Sequence, residues 1–419
     1  MNTIIPITEN NLEQVAGAGA KFGMPRSAGW LRRCLFDPTV GDLTTDKIRG
    51  HMSIDENGDV KAVHCYYYQP CYLLQTKILV ETGAIMGSEA KYGEELLAVM
   101  DRNMETQSKG VLTIGNCICG QRPYMINKKV FRMKEPPYRA GGQFRICVIN
   151  SCVLITSAIG RVRMRIGSFK RWVAGVLYPR RKRMSRSIPR QGMSHKDVGS
   201  VARRCRIASA GFLKRLLANV LSPLSKSTLR SMRQRIGKSG FIMCEHGSFG
   251  DSRFTDFWER FLAANDGVIS SREPSRLKWL FDESIKAGKV FLAAAEKDGR
   301  IDGYVLIREC GVGGPPPKSY DIIDICAVGN DAKCLEALAC EAALVAEAHG
   351  GVQVFFLGSM PNQEEWLDPV FRHCSRGQYY FMYSSGNGEI NVSLKANKGW
   401  FFGPFDGERC LGHGGYIDL

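Results

Sequence analysis

Short apolar runs hinged on glycine turns set the first pattern in this chain. "HMSIDENGDVKAVHCYYY" places two such runs on either side of Asn57-Gly58, and "VFLAAAEKDGRIDGYVLIREC" does the same around Asp298-Gly299. Glycine accepts the positive φ that a tight hairpin turn needs, so both stretches read as β-hairpins. Each is followed by a further strand, "ILVETGAIM" in the first case and "SYDIIDICAV" in the second. Each strand then leads into a decamer with five residues in common. Residues 87–96 read "GSEAKYGEEL" and residues 329–338 read "GNDAKCLEAL", and a helical pattern follows both. The order hairpin, strand, helix occurs twice, which predicts a duplicated unit.

The surrounding pattern divides the chain into three parts. Residues 1–150 begin with a helix near Asn10 to Phe22, and after the repeat they end in strands at "KGVLTIGN" and "GQFRICVIN". Residues 151–240 are different material. "SFKRWVAGVLYP" puts Phe169, Trp172, Val173, Val176 and Leu177 on one helical face. Leu213, Leu216, Leu217, Val220 and Leu221 form a second apolar face that ends at Pro223. Residues 241–419 repeat the first part behind a longer preface. "VGGPPPKS" there must be a loop, since neither helix nor sheet interior accepts three prolines. The fold class expected is α+β, mixed α/β: two domains, each a mostly antiparallel sheet flanked by helices, joined by a helical segment.

Charge sharpens that division. The 419 residues carry a net charge of +16, yet residues 155–240 hold 22 Lys and Arg against the single acid Asp197. The rest of the chain is slightly acidic. A segment this basic seeks an anionic partner, and three readings stay open. It could lie on an anionic membrane surface as basic amphipathic helices, serve as a connector whose stripes pack on the flanking domains, or grip nucleic acid. Few aromatics are free to stack on bases, which makes nucleic acid the weakest of the three.

Fifteen cysteines show no disulfide-framework spacing, and Met1 to Asn10 lacks a basic start followed by an apolar stretch. A reducing cytoplasm is the expected compartment, at the inner face of the membrane if the basic segment binds it. Cys117 and Cys119 have no second pair at zinc spacing, so no metal site is expected. The apolar run "ICVINSCVLITSAIG" falls short of the roughly 20 residues needed to cross a bilayer.

The order of elements, with "IRGHMSIDENGDVKAV" in the first part, resembles the GNAT acyltransferase superfamily. "GVISSREPSRLKWLFD", "GRIDGYVLIREC" and "GWFFGPFDGE" in the last part look like segments of tandem-GNAT proteins found with bacterial surface-polysaccharide synthesis. The resemblance implies N-acyl transfer from acetyl-coenzyme A, or another acyl-coenzyme A, to a small-molecule amine such as that of a sugar precursor. It places the pyrophosphate at "GSEAKYGEEL", with Gly87, Ser88, Lys91, Tyr92 and Gly93 around a helix N-terminus, where main-chain N–H groups favour anions. The usual Gln/Arg-x-x-Gly-x-Gly loop is absent, and a helix merely capped by Ser88 is the plainer reading. By the same resemblance Asn116 binds the pantetheine arm and Tyr124 protonates the departing thiolate. The spacing is one residue long, however, and Val130 replaces the family's glycine, so Tyr124 as a packed aromatic remains open.

Glu81 sits where the family often places its base, with His64 as competitor; either could equally be a structural pair. Asp321 and Asp324 on the matching strand are expected to share one face, where they would orient an acceptor or simply meet solvent. The second copy has Asp331 near its loop, which argues against a pyrophosphate there. Two other classes stay open. One is a catalytically silent tandem-GNAT scaffold that binds a membrane or partner. The other is an aminoacyl or peptidyl transferase with a tRNA donor held by the basic middle.

Overall fold

The computed structural model describes residues 2–23, 26–41, 43–44, 47–73, 75–89, 93–106, 112–118, 141–149, 226–265, 268–310, 318–358, 360, 362–373 and 379–385. By contact the chain forms two compact units, residues 1–147 with 232–419, and residues 148–231. Both outer parts therefore lie in the first unit. Nearly all of the basic middle lies outside the described residues.

The first half runs β1 (Thr3–Pro6), α1 (Leu12–Lys21), α2 (Ala28–Leu35), β2 (Gly50–Ile54), β3 (Val60–Leu73), β4 (Thr76–Ser88), α3 (Glu94–Thr106), β5 (Leu112–Ile118) and β6 (Gly141–Val148). A helix α4 (226–239) leads into the second half. There follow β7 (Ile242–His246), α5 (Arg253–Ala263), β8 (Val268–Ser270), α6 (Pro274–Lys286), β9 (Val290–Lys297), β10 (Arg300–Cys310), β11 (Lys318–Ala327), α7 (Ala332–Ala348), β12 (Gly351–Gly358), α8 (Gln363–Leu367), β13 (Arg372–His373) and β14 (Tyr379–Ser385). The class is α+β, with helices flanking a largely antiparallel sheet.

Both predicted hairpins form. Gly58 sits at φ 83°, and Asp298 and Gly299 at φ 50° and 76°, the left-handed pair of a two-residue turn. β3 reads almost continuously apolar because both its faces are covered. Val63, Cys65 and Tyr67 meet α1 and α2 through Val15, Leu31 and Leu35. Ala62, on the opposite face, meets α3 through Leu96, Val99 and Met100. In the second half α7 lies close on β10. A Cβ at Gly303 would fall 2.8 Å from both Cys334 Sγ and the Cys326 carbonyl. Gly303→Ala is therefore expected to cost about 1–3 kcal/mol by overpacking, read as a lowered urea midpoint at unchanged m-value. A midpoint within error of the parent would mean that α7 moves aside freely.

Strand order in the sheet is β1-β2-β3-β4-β5-β14-β6-β12-β11-β10-β9-β7, with β8 beside β3 and β13 beside β6. The two ends of that sequence mirror each other, since β1 to β5 and β7, β9 to β12 run inward in the same order. At the centre the last strands are exchanged: β14 of the second half adjoins β5, and β6 of the first half adjoins β12.

Candidate functional site

Among the described residues each half contains a parallel pair, β4 with β5 and β11 with β12, and each pair separates. β4 and β5 ladder over Val80↔Leu112, Glu81↔Thr113 and Thr82↔Ile114 only. Beyond that point β4 continues to Ser88 against β3, while β5 continues to Ile118 against β14. A bulge marks the parting. Cys65 pairs with Ile85 and Tyr66 with Gly83, so Ala84 is the extra residue on β4. The second half repeats this. β11 ladders with β12 from Lys318 to Asp321, and Ile323 is the extra residue between Asp324↔Leu306 and Ile322↔Ile307. Bulges bend the bulged strand and increase its twist, which turns a strand away from its neighbour. The result is a gap with main-chain edges on both sides, opening toward the helix that follows the bulged strand.

The two halves differ at the entrance to that helix. Gly87 and Ser88 belong to the strand itself, paired with Val63 and Ala62, rather than to the loop where the sequence pattern put them. Glu89 still donates its N–H to the Lys61 carbonyl at 2.9 Å. α3 then begins seven residues past Gly87, and the Gly93 carbonyl accepts from Leu96 and Leu97. Gly329, the matching residue of the echo, lies instead in a turn at φ 62°, and α7 begins three residues later. Asp331 caps α7, its carboxylate accepting from the Lys333 N–H at 2.8 Å and the Cys334 N–H at 3.3 Å. An acid already occupies the anion-binding end of α7, whereas no such cap is seen on α3 among the described residues.

Two lysines that sequence reading passed over stand beside the approach to α3. Lys21, the last residue of α1, pairs with Glu89, and Lys61 of β3 lies 3.3 Å from Glu89 and 3.1 Å from Asp55. The Lys21 ammonium, then Lys61, hold the Glu89 carboxyl below its usual range, and Asp55, then Glu89, raise Lys61. Their spacing in sequence carries no signal, since a helix end, a hairpin strand and a strand terminus meet only in the fold.

Glu81 is buried at 2% exposure, three residues before the Ala84 bulge and opposite Tyr68 on β3. His64, two positions from Tyr66 and four from Tyr68, shares that face; α3 packs on its Ala62 end, while Tyr66 and Tyr68 pack with Val40 and Leu79. The surroundings of His64 fit the structural pair, the second of the two readings the sequence left open. Asn103 of α3 bridges His64 and His51: its Nδ2 lies 2.6 Å from His64 Nδ1 and donates to the His64 carbonyl at 3.0 Å, and its Oδ1 lies 2.6 Å from His51 Nδ1. Burial, with His51 second, pushes His64 down to about 4. The ring is a structural partner of α3 and a poor proton acceptor near neutral pH.

For Asp324 the expectation is corrected. It is fully buried, holds Arg272 at 3.0 Å and accepts from the Tyr304 hydroxyl at 2.6 Å, so its carboxylate is committed to the core and is not solvated. Asp321 keeps partial exposure, 3.8 Å from Arg308. The register puts both acids on one face, opposite Arg308 and Leu306, but only because the bulge adds a residue between them. Regular alternation would separate residues three apart onto opposite faces. Asn116 lies on β5 opposite Phe381 of β14. Tyr124, Lys91 and Tyr92 lie outside the described residues. No group of three or more His, Cys, Asp or Glu able to hold a metal occurs among the described residues, and no helix among them is long and apolar enough to cross a membrane.

No family model matches the chain, and no curated protein does. Among solved structures it is similar to N-myristoyltransferase of Saccharomyces cerevisiae with bound myristoyl-CoA and inhibitors, at 10% identity over 92% of this chain and 80% of that one, with a TM-score of 0.48. It is similar to a GCN5-related N-acetyltransferase from Anabaena variabilis, at 7% identity over 92% and 73%, TM-score 0.48. A GCN5-related N-acetyltransferase from Kribbella flavida gives 12% identity over 91% and 70%, TM-score 0.47. No residue role follows from likenesses at this level.

Proposed function

We propose that this chain is a tandem GNAT-type N-acyltransferase whose first half takes an acyl-coenzyme A and whose second half has given up that role. The observation that carries the reading is the parting of β4 from β5 after Thr82, beside the Ala84 bulge and on the strand that leads to α3. A thioester carrier combines an extended amide-bearing arm with a pyrophosphate. The strand edges Gly83–Ser88 and Gly115–Ile118 would hold the arm through main-chain groups, and the start of α3 from Gly93 would face the phosphates. Lys21 and Lys61 stand near that end, paired with Glu89 and Asp55, and would be available to the phosphates only by exchanging those partners. The second half has the same bulge and gap, but the Asp331 carboxylate fills its helix N-terminus and would repel an anion.

When bound, acyl-coenzyme A supplies an activated acyl group. The chain's own part is to exclude water from the gap, orient an amine and manage two protons. Glu81 would take the proton from the acceptor amine, directly or through a water. Tyr124 would hold its phenolic proton for the departing sulfur. The main chain around Ala84, out of register with β3, would offer a donor to developing charge. Acetyl as the acyl group, a sugar-precursor amine as the acceptor and contact of residues 155–235 with an anionic inner membrane face belong to the same proposal.

Thermal shift tests the carrier site. At a hundredfold excess over Kd a carrier that binds the native state adds about 2.7 kcal/mol, so a panel of acetyl- and longer acyl-coenzyme A should raise Tm by several degrees. A flat response across the panel would leave the silent scaffold as the better account. Glu81→Gln should reduce turnover by about 10²–10⁴-fold while carrier affinity stays near the parent value. Unchanged turnover would remove Glu81 from proton transfer.

A further inference from the structure

The exchange of last strands bears directly on the first half's gap. β5 has two neighbours of unequal extent. It meets β4 over three residue pairs and β14 over seven, from Leu112↔Ser385 to Ile118↔Tyr379. Past Ile114 the ladder with β4 is over. The far wall of the gap, Gly115–Ile118, is then registered by Met382, Phe381, Tyr380 and Tyr379 of the second half. β6, which follows β5 in the first half, lies beyond β14 and beside β12, so it cannot take over that duty. A strand with a single short parallel ladder has little to hold its direction, because cross-strand pairs are what set register and stability.

We infer that the first half's carrier site is composite, with β14 of the second half acting as the positioning strand for its far wall. This rests on the acyl-carrier reading above. The second half would then be retained for architecture: although its own helix N-terminus is closed by Asp331, it supplies the strand that fixes the width of the other half's gap. Reciprocally, β6 beside β12 locks the first half to the second, so neither half can swing away without breaking a ladder.

Amide hydrogen exchange on the full chain, with and without saturating acetyl-coenzyme A, decides the matter, since ligand-ordered strands exchange more slowly. The expected result is slowed exchange in two places, residues 83–97 and residues 379–385, the second by at least severalfold. Slowing in 83–97 with 379–385 unchanged overturns the composite site and leaves the carrier reading standing. No slowing anywhere, with acetyl-coenzyme A or with a long-chain acyl-coenzyme A, overturns both. Phe381→Pro provides a second check, because proline removes a main-chain donor and disrupts the strand that pairs with Asn116 of β5. It should weaken carrier binding at least tenfold while residues 2–73 keep parental exchange. Parental affinity in that variant would refute the inference, and if the variant loses its fold altogether the ligand response of the parent chain still decides.

Discussion

Replacing Asp324 by alanine is expected to destabilise the fold by about 3–5 kcal/mol, measured as a fall in the urea midpoint. Asp324 and Arg272 are both fully buried. Arg272 reaches both carboxylate oxygens and also donates to the Ser270 carbonyl at 3.0 Å, while Tyr304 donates to the same carboxylate. Burial and the carboxylate together push the Tyr304 hydroxyl well above its ordinary value, so it stays a donor. Removing the acid strands a guanidinium in the core, and the cost is that of an uncompensated buried charge more than of a lost attraction. A double replacement, Asp324→Leu with Arg272→Met, should therefore recover most of the loss. The location makes the effect long-range: Arg272 follows β8, whose Ser270 pairs with Cys71 of β3, so the ion pair ties β11 to a strand docked on the first half. A loss below 1 kcal/mol for Asp324→Ala, or a double variant worse than the single one, would mean that the pair does not hold this junction.

Acid should weaken the chain through the bridge between α3 and the first hairpin. His64 titrates near 4 in the native state against about 6.5 when unfolded. As pH falls the unfolded chain takes up this proton first. The stabilisation is complete above pH 6.5 and is lost progressively toward pH 4, amounting to about 3 kcal/mol from this group. The chemistry is specific. Asn103 offers an N–H to His64 Nδ1, so that nitrogen must carry a lone pair; a proton there would set donor against donor and push α3 off β3. His64→Gln keeps an acceptor for Asn103 but does not titrate. Its urea midpoint should fall much less between pH 7 and pH 5 than that of the parent. Parallel pH profiles for the two proteins would assign the acid sensitivity elsewhere. Because α3 is the helix whose start faces the proposed carrier, its loosening in acid would weaken carrier binding before global unfolding.

Much of the local structure was legible in advance. The glycine-hinged hairpins, the helix of the leader, the strand after each hairpin and the helix after each echo all appear where the apolar pattern put them. The echo misled by a few residues, because identical letters at Gly87 and Gly329 occupy a paired strand in one half and a left-handed turn in the other. Glu81, which the resemblance marks as a base, is a buried strand residue three positions before the bulge. His64 and Asp324 were singled out on similar grounds and proved to be held by partners, Asn103 and Arg272, that lie 39 and 52 residues away. Burial of a polar side chain depends on which distant element covers it, and no local pattern carries that information.

The chain by itself determined where it turns and which faces of its helices and strands are apolar, because backbone sterics at glycine and the periods of 3.6 and 2 act over a few residues. Only the tertiary structure decided that one residue too many on β4 and on β11 opens a gap in each half, that an acid closes the helix end beside one of them, and that the halves trade their last strands. Those outcomes depend on long-range pairing, where many registers look equally good to the sequence and the packed whole selects one.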